Sequence, residues 1–380
     1  MHYFVFPEKD TTVYESSSSL NAGMDPILEI RKDVSDTGDT VRVSRTLIKF
    51  PLTYISQSVV DSLITSPTYF LNLYDAHPAA LAVSQSLRAY PISQSWDMGA
   101  GRSDDDPVTD EGASWKFRHG KTDGQLWTPA GPSGSGATWF SGSSTRWPLE
   151  VSYSLDQTTR DVRLNVSDIV NNWIYSGSSY PNEGFIIKRS GSIGNLNSGS
   201  DEGSKVRYGN FSFFSSDTHT KFPPTLEVVW DDSKFSTGSL SPITGSDFED
   251  MVMYTKGLRP EYSENAKAKI RVVGRARFPA KTYSTTPSNL TVKYLPSGST
   301  INSDGTYYSI RDAEDDSVVV PFDSGSLVSC DSNGNYFNIW LGGYQPERYY
   351  KLVFRAVSGS GTADEVDQYF DEGFTFKVTK

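Results

Sequence analysis

Short apolar runs closed by turn-forming residues recur along the whole chain, and they leave little room for anything but strands. "DTTVYE", "PILEIRK", "RTLIKFPL", "YFLNLYDA", "LRAYPI", "DVRLNV", "GFIIKR" and "TLEVVWD" follow one another up to Asp231. Each is rich in β-branched or aromatic side chains and bounded by Gly, Pro, Asn or Ser, the pattern of strands joined by turns. After Ala266 it resumes with "AKIRVVGRARF", "LTVKYL", "TYYSIRD", "SVVVPF", "NYFNIWL", "YYKLVFRAV" and "GFTFKVT". The hydrophobic fraction is only 36%, but aromatics make up 13%. Large rings fill a core from few residues and favour strands over helices. The expected class is all-β.

Helical patterns are few. "SVVDSLITS" (Ser58 to Ser66) reads as one short helix. "VSDIVNNWIYSG" reads as another, with Ser167 or Asp168 as N-cap and Ile169, Val170 and Trp173 at helical spacing. Two dipeptides suit tight hairpins: Asp304-Gly305 and Asn333-Gly334. "WDDSKFSTGSLSPITGSDFED" (Trp230 to Asp250) is a Ser/Gly/Pro/Asp-rich boundary. Residues 1–232 and 267–380 are therefore read as two domains, with 233–266 as a connector. Within the first, residues 99–147 lack periodicity but carry Trp115, Trp127, Trp139 and Trp147, so the stretch reads as an ordered insertion.

"RTLIKFPL" is similar to the strand Arg-x-Leu-Leu-Lys-Phe-Asp-Leu of the DNRLRE family, which opens, like this chain, with a "DTTV"-type strand. "LNVSDIVNNWIYSGSSYPNEGFIIK" resembles its Asp-Val-Thr-x-hydrophobic-Val-x-x-Trp, followed by Asn-x-Gly and an apolar strand ending in Lys. "FFSSD" and "PPTLEVVW" resemble its closing strands. The resemblance covers about Asp10 to Asp231. It implies a jelly-roll-like β-sandwich related to carbohydrate-binding modules and common in extracellular proteins. The insertion is longer than is usual there. In the C-terminal part, "LGGYQPERYYKLVFRAV" looks like the Leu-x-x-Leu-x-Pro, Tyr-x-Val-x-Val-x-Ala pattern of fibronectin type III or Ig-like sandwiches. That resemblance implies that Tyr350 bonds its hydroxyl to upstream backbone. The phrases "TYYSIRDAEDDSVVVPFD" and "SCDSNGNYFNIWLGGYQPERYYKL" resemble segments of uncharacterised virion proteins of marine phages.

The stretch from Asn171 to Arg189 reads as a fold signature. Trp173 belongs to the core, Asn182 and Gly184 shape the turn, and the unalternating "FIIK" is buried on both faces. The net charge of −11 argues against a nucleic-acid partner. No apolar stretch approaches the ~20 residues of a membrane helix. The start "MHYFVFPEKD" is not patterned as a signal peptide. Cys330 is the one cysteine and reads as a small buried hydrophobe. His2, His77, His119 and His219 are scattered, and no Gly-x-Ser-x-Gly elbow, P-loop or Cys-x-x-Cys occurs.

Two features admit a functional reading. Asp104, Asp105, Asp106 and Asp110 form a dense acidic cluster, read either as a calcium loop or as a solvated loop without EF-hand spacing. Trp115, Trp127 and Trp139 either stack on sugar rings or bury the insertion. Asn165, Asn210 and Asn289 sit in Asn-x-Ser/Thr and read as coincidences. The expectation is a non-enzymatic structural component of a tailed-phage particle, in collar, neck, tail, fibre or head decoration. It would be homo-oligomeric and would bind other virion proteins, and host surface glycans where the sandwich serves attachment; no cofactor is expected, calcium being the one candidate. The alternative is a carbohydrate-binding or adhesive module at a bacterial surface or secreted from it.

Overall fold

The computed structural model describes residues 1–38, 40–77, 84–128, 136–155, 161–191, 202–206, 209–279, 283, 291–298 and 303–380. The chain is all-β and divides into two compact units. The N-terminal unit is Val5–Asp61 with Thr68–Glu227; the C-terminal unit is Met1–Phe4, Ser62–Pro67 and Val228–Lys380.

The N-terminal unit is organised around one antiparallel sheet with strand order Lys9–Tyr14, Val41–Lys49, Phe185–Arg189, Gln85–Pro91 and Val151–Leu155. Ile186 stands opposite Leu47 on one side and Tyr90 on the other. These residues share a face with Val13, and that face is covered by Trp96, Trp115 and Trp127. The opposite face holds Phe185, whose ring lies 4.7 Å from Trp173 and 6.2 Å from Phe50. Every residue of Phe185–Arg189 is buried, which is why "FIIKR" does not alternate. The strands Thr68–Leu73 and Val162–Asn165 pair antiparallel, and Ile27–Ile30 pairs with Phe211–Phe214.

Among the described residues of this unit are two short α-helices. The first runs over Thr53–Val60, earlier than the expected Ser58 to Ser66. Ile55 and Val59, four residues apart, are its buried pair, and Ser62 and Ser66 adopt positive φ of 57° and 48°, which no helix accommodates. The second spans Ser167–Tyr175 and buries Ile169, Val170 and Trp173. Its N-cap is Val166, with no side-chain cap, rather than Ser167 or Asp168. The Ser167 hydroxyl instead accepts the Tyr69 N–H at 2.9 Å, joining helix to sheet.

In the C-terminal unit, one sheet has the order Met251–Lys256, Lys267–Ala276, Gly334–Trp340, Ser329–Asp331. A second has Glu261–Ser263, Val366–Thr379, Tyr349–Ser358, Gly305–Asp312, Val318–Val320. Their inner faces build one aromatic core, with Tyr308 and Phe337 stacked at 4.4 Å and Phe354 5.8 Å from Phe337. Residues 233–266, expected as a connector, contribute Ser241–Pro242, Met251–Lys256 and Glu261–Ser263 to the sheets of this unit. Met251 and Met253 pack into its core, so the stretch is part of the fold.

Both hairpin expectations shift. Asp331 pairs with Gly334, so the chain reverses over Ser332 and Asn333, one residue earlier than the Asn-Gly dipeptide suggested. Only Gly334 takes the positive φ, at 110°. At Asp304-Gly305 neither residue has a positive φ. Gly305 opens a strand that pairs with Tyr349–Ser358, far along the chain.

Candidate functional site

The most concentrated chemistry in the N-terminal unit lies where the described residues of 99–147 cover the sheet. Trp96 and Trp127 are fully buried, and their indole N–H groups donate to the carbonyls of Glu183 and Ser114, each at 2.9 Å. Arg45 projects into this layer from Val41–Lys49. Its Nε and one terminal nitrogen grip both carboxylate oxygens of Glu202 at 2.9 and 3.2 Å, and the other donates to the Gly136 carbonyl at 3.0 Å. Lys188 reaches the same carboxylate at 2.8 Å and donates to the carbonyls of Arg189 and Gly191. The Arg45 guanidinium lies 4.8 Å from the ring of Trp115 and 5.0 Å from that of Trp139. Burial lowers the Lys188 pKa, and the Glu202 charge opposes that shift. Two cations, one carboxylate and two indoles thus form a buried knot that holds the insertion down.

This arrangement corrects the sugar-stacking reading of the tryptophans. Trp115 and Trp127 present no ring face to solvent, because the sheet needs their area to bury Ile186 and Leu47. Trp139 is half-buried against Arg45 and Tyr90. Trp147 is likewise half-buried; it lies 5.7 Å from the half-exposed Tyr175 and carries Arg146 4.8 Å above it. Sequence reasoning did not place Trp147 and Tyr175 together; the helix Ser167–Tyr175 does so by ending beside the insertion.

The acidic cluster does not converge on a point. Asp105 is turned onto its own loop, accepting from the Arg102 N–H and the Thr109 hydroxyl, both at 2.8 Å, and these bonds hold its carboxyl below the usual range. Asp110 pairs with Lys121 at 3.0 Å. Among the described residues no group of three or more His, Cys, Asp or Glu is arranged to hold a metal ion, so Asp104, Asp105, Asp106 and Asp110 are not brought together as calcium ligands. Asp104 instead lines a cleft of about 550 Å³ with Tyr14, Asp25, Glu29, Arg31 and His77. Glu29 takes the Tyr14 hydroxyl at 2.7 Å and pairs with Arg31 at 2.9 Å, and Asp25 accepts the Ser103 N–H at 3.1 Å. Burial raises the Asp25 carboxyl, against those bonds from Ser103.

A second buried carboxylate ties the two ends of this unit together. Asp10 accepts the Ser216 N–H at 2.7 Å and its hydroxyl at 2.8 Å. Burial pushes its carboxyl up to about 6, helped by the neighbouring Asp217 charge.

The residues expected to be structural sit as follows. Trp173 is 8% exposed; the Asn182 side chain donates to the Phe50 carbonyl at 2.9 Å and accepts the Gly184 N–H at 3.2 Å. Gly184 has φ 90°, and a Cβ there would come 2.3 Å from the Ile48 carbonyl oxygen. Tyr350 is buried, donates to the Gln345 carbonyl at 3.2 Å and accepts its N–H at 3.0 Å. Burial raises the Tyr350 hydroxyl to about 12. Cys330 is buried, and burial raises its thiol. His119 lies 2.7 Å from Asp97 and His2 2.9 Å from Asp323, in separate units. Asn165 and Asn210 accept backbone N–H groups of Ser167 and Lys32; Asn289 lies outside the described residues.

No family model matches the chain, and no curated protein does. Among solved structures it is similar to a DUF4785 family protein from Legionella pneumophila, with 7% identity and a TM-score of 0.20. The match covers 100% of this chain and 65% of that one, so the chain spans about two thirds of its length.

Proposed function

We propose that this chain is a non-catalytic structural component of a tailed-phage particle, acting through contacts with other virion proteins and with copies of itself. The observation that carries the reading is how the functional-looking residues are used. Arg45, Lys188 and Glu202 close on one another, and Trp96, Trp115 and Trp127 fill a core layer. Asp105 and Asp110 are bonded within their own loop region. Side chains that would serve a reaction instead fasten an irregular segment to a sheet, as a load-carrying brick requires. The phage-like phrases in the C-terminal unit support the same reading. Repetition around a symmetry axis is the usual arrangement for such components.

The test is mass spectrometry of density-banded particles from the source culture. Peptides of this chain at a stoichiometry of several copies per particle are the expected result. Recovery only in the secreted or cell-surface fraction overturns the reading. A second reading, a carbohydrate-binding surface module, draws on the Trp147–Tyr175 pair, whose rings lie at 30° to each other near the surface. Loss of glycan-array binding in a Trp147→Ala variant, with no particle association, would select it.

A further inference from the structure

The outer face of the first sheet of the C-terminal unit carries a basic and aromatic strip. Register places Lys267 opposite Trp340, Lys269 opposite Asn338 and Arg271 opposite Tyr336. On the other side, Arg271 stands opposite Lys256 and Arg275 opposite Val252. The intervening Ala268, Ile270, Val272, Phe337 and Ile339 are all buried, so the first set points away from the core. Lys256, Lys267, Lys269, Arg271 and Arg275 share these four strands with one carboxylate, Asp331. That carboxylate is already gripped by Arg271 at 2.9 Å and Lys269 at 3.0 Å. In a chain of net charge −11, this local excess of cations runs against the whole.

The aromatic rings on the strip are placed for stacking. The Lys267 ammonium lies 3.5 Å from the centroid of Trp340, and that of Lys269 lies 3.6 Å from Tyr336. Both cations are on exposed residues, so each marks a ring face reachable from solvent. The same electron-rich face attracts the polarised C–H groups of a pyranose. Beside the rings opens a cleft of about 480 Å³, lined by Tyr336, Asn338, Trp340, Asp231, Asp232 and Lys234. Asp231 is exposed, and Asp232 accepts from the Asn338 side-chain amide at 3.4 Å.

We propose that this face binds an acidic polysaccharide. Pyranose rings stack on Trp340 and Tyr336 as the lysines swing aside. Asp231 and Asn338 bond the hydroxyls, and Lys256, Lys267 and Arg275 meet the carboxylate or sulfate groups. A neutral glycan would leave Lys256, Lys267 and Arg275 without an anionic partner, since Arg271 and Lys269 already share Asp331. A single-stranded nucleic acid would use the same rings and cations. Its phosphates recur at every nucleotide, so some would fall against the exposed Asp231, whereas a polysaccharide can set hydroxyls there and its acidic groups on the cations.

The experiment is binding of the full chain to immobilised alginate, dextran sulfate, neutral dextran and poly(dT). Expected is binding to one or both acidic polysaccharides, none to dextran, and weakening as salt rises from about 0.05 M to about 0.5 M. The Lys256→Glu/Lys267→Glu variant should bind about tenfold more weakly, with an unchanged circular dichroism spectrum, because both side chains are exposed. A Tyr336→Ser variant should weaken binding while leaving the salt dependence in place. Failure to bind either acidic chain, equal binding of dextran, or indifference to both variants overturns the proposal. Tighter binding of poly(dT) than of both acidic chains replaces it with a nucleic-acid surface.

Discussion

Replacing Asp10 with asparagine isolates the cost of one buried charge. Asp10 is 1% exposed, and both oxygens are committed to Ser216. Its carboxyl is raised from 3.8 to about 6, chiefly by burial. That rise corresponds to about 3 kcal/mol, at ~1.4 kcal/mol for each tenfold change in proton affinity. Between those values the folded chain keeps a proton that the unfolded chain has lost, so stability falls as pH rises through this window. The contribution is whole below about pH 4 and gone above about pH 6. Asparagine keeps the shape and an acceptor for the Ser216 N–H but has no charge to bury. The stability of the wild type relative to Asp10→Asn should therefore drop by about 3 kcal/mol between about pH 4 and pH 8. Urea denaturation at stepped pH measures it, read by hydrogen exchange of peptides covering Lys9–Tyr14 and Phe211–Phe214, so that the N-terminal unit is followed by itself. A difference that stays flat refutes the reasoning, since Asp10 would then ionise like an exposed carboxyl. A difference that grows with pH would mean that the Ser216 bonds outweigh burial.

Other perturbations follow from the same geometry. Glu202→Gln leaves Arg45 and Lys188 without the carboxylate they share and should cost about 3–5 kcal/mol in chemical denaturation. Gly184→Ala drives a methyl into the Ile48 carbonyl at a φ that alanine avoids; a loss of about 2–4 kcal/mol is expected by the same assay. Tyr350→Phe removes both bonds to Gln345 and should cost about 1–2 kcal/mol, seen as a lower melting temperature of the C-terminal unit.

The strands were legible because β-branched and aromatic runs between turn residues say little else. The turn at Asn182 and Gly184 was legible for the same local reason. What escaped was decided at long range. Arg45 and Glu202 are 157 positions apart, and no local pattern links them. A usable signal was present: Lys188 and Arg189 end a run with no alternation, and cations in a strand buried on both faces need partners. The stretch 233–266 looked like a connector because its strands are short and lie among Ser, Gly and Asp, while Met251 and Met253 earned their place only by packing. The outer strip of the C-terminal unit was written in period two, as Tyr336, Asn338 and Trp340 alternate with Phe337 and Ile339. Which of the two faces was the wet one emerged only from the register with Lys267–Ala276.

The pairing of Ile27–Ile30 with Phe211–Phe214, and of Asp10 with Ser216, sets an order of events during synthesis. A ribosome releases the early strands long before their partners exist. Until residue 216 has emerged, Ile27–Ile30 has an open edge and Asp10 has no bonding partner in Ser216. The N-terminal unit therefore cannot complete its closure until Phe211–Phe214 and Ser216 have emerged, and a chain stopped short of Phe211 exposes a bare strand edge to its neighbours. Truncation from the C-terminal side into this unit should give aggregation rather than a smaller folded piece.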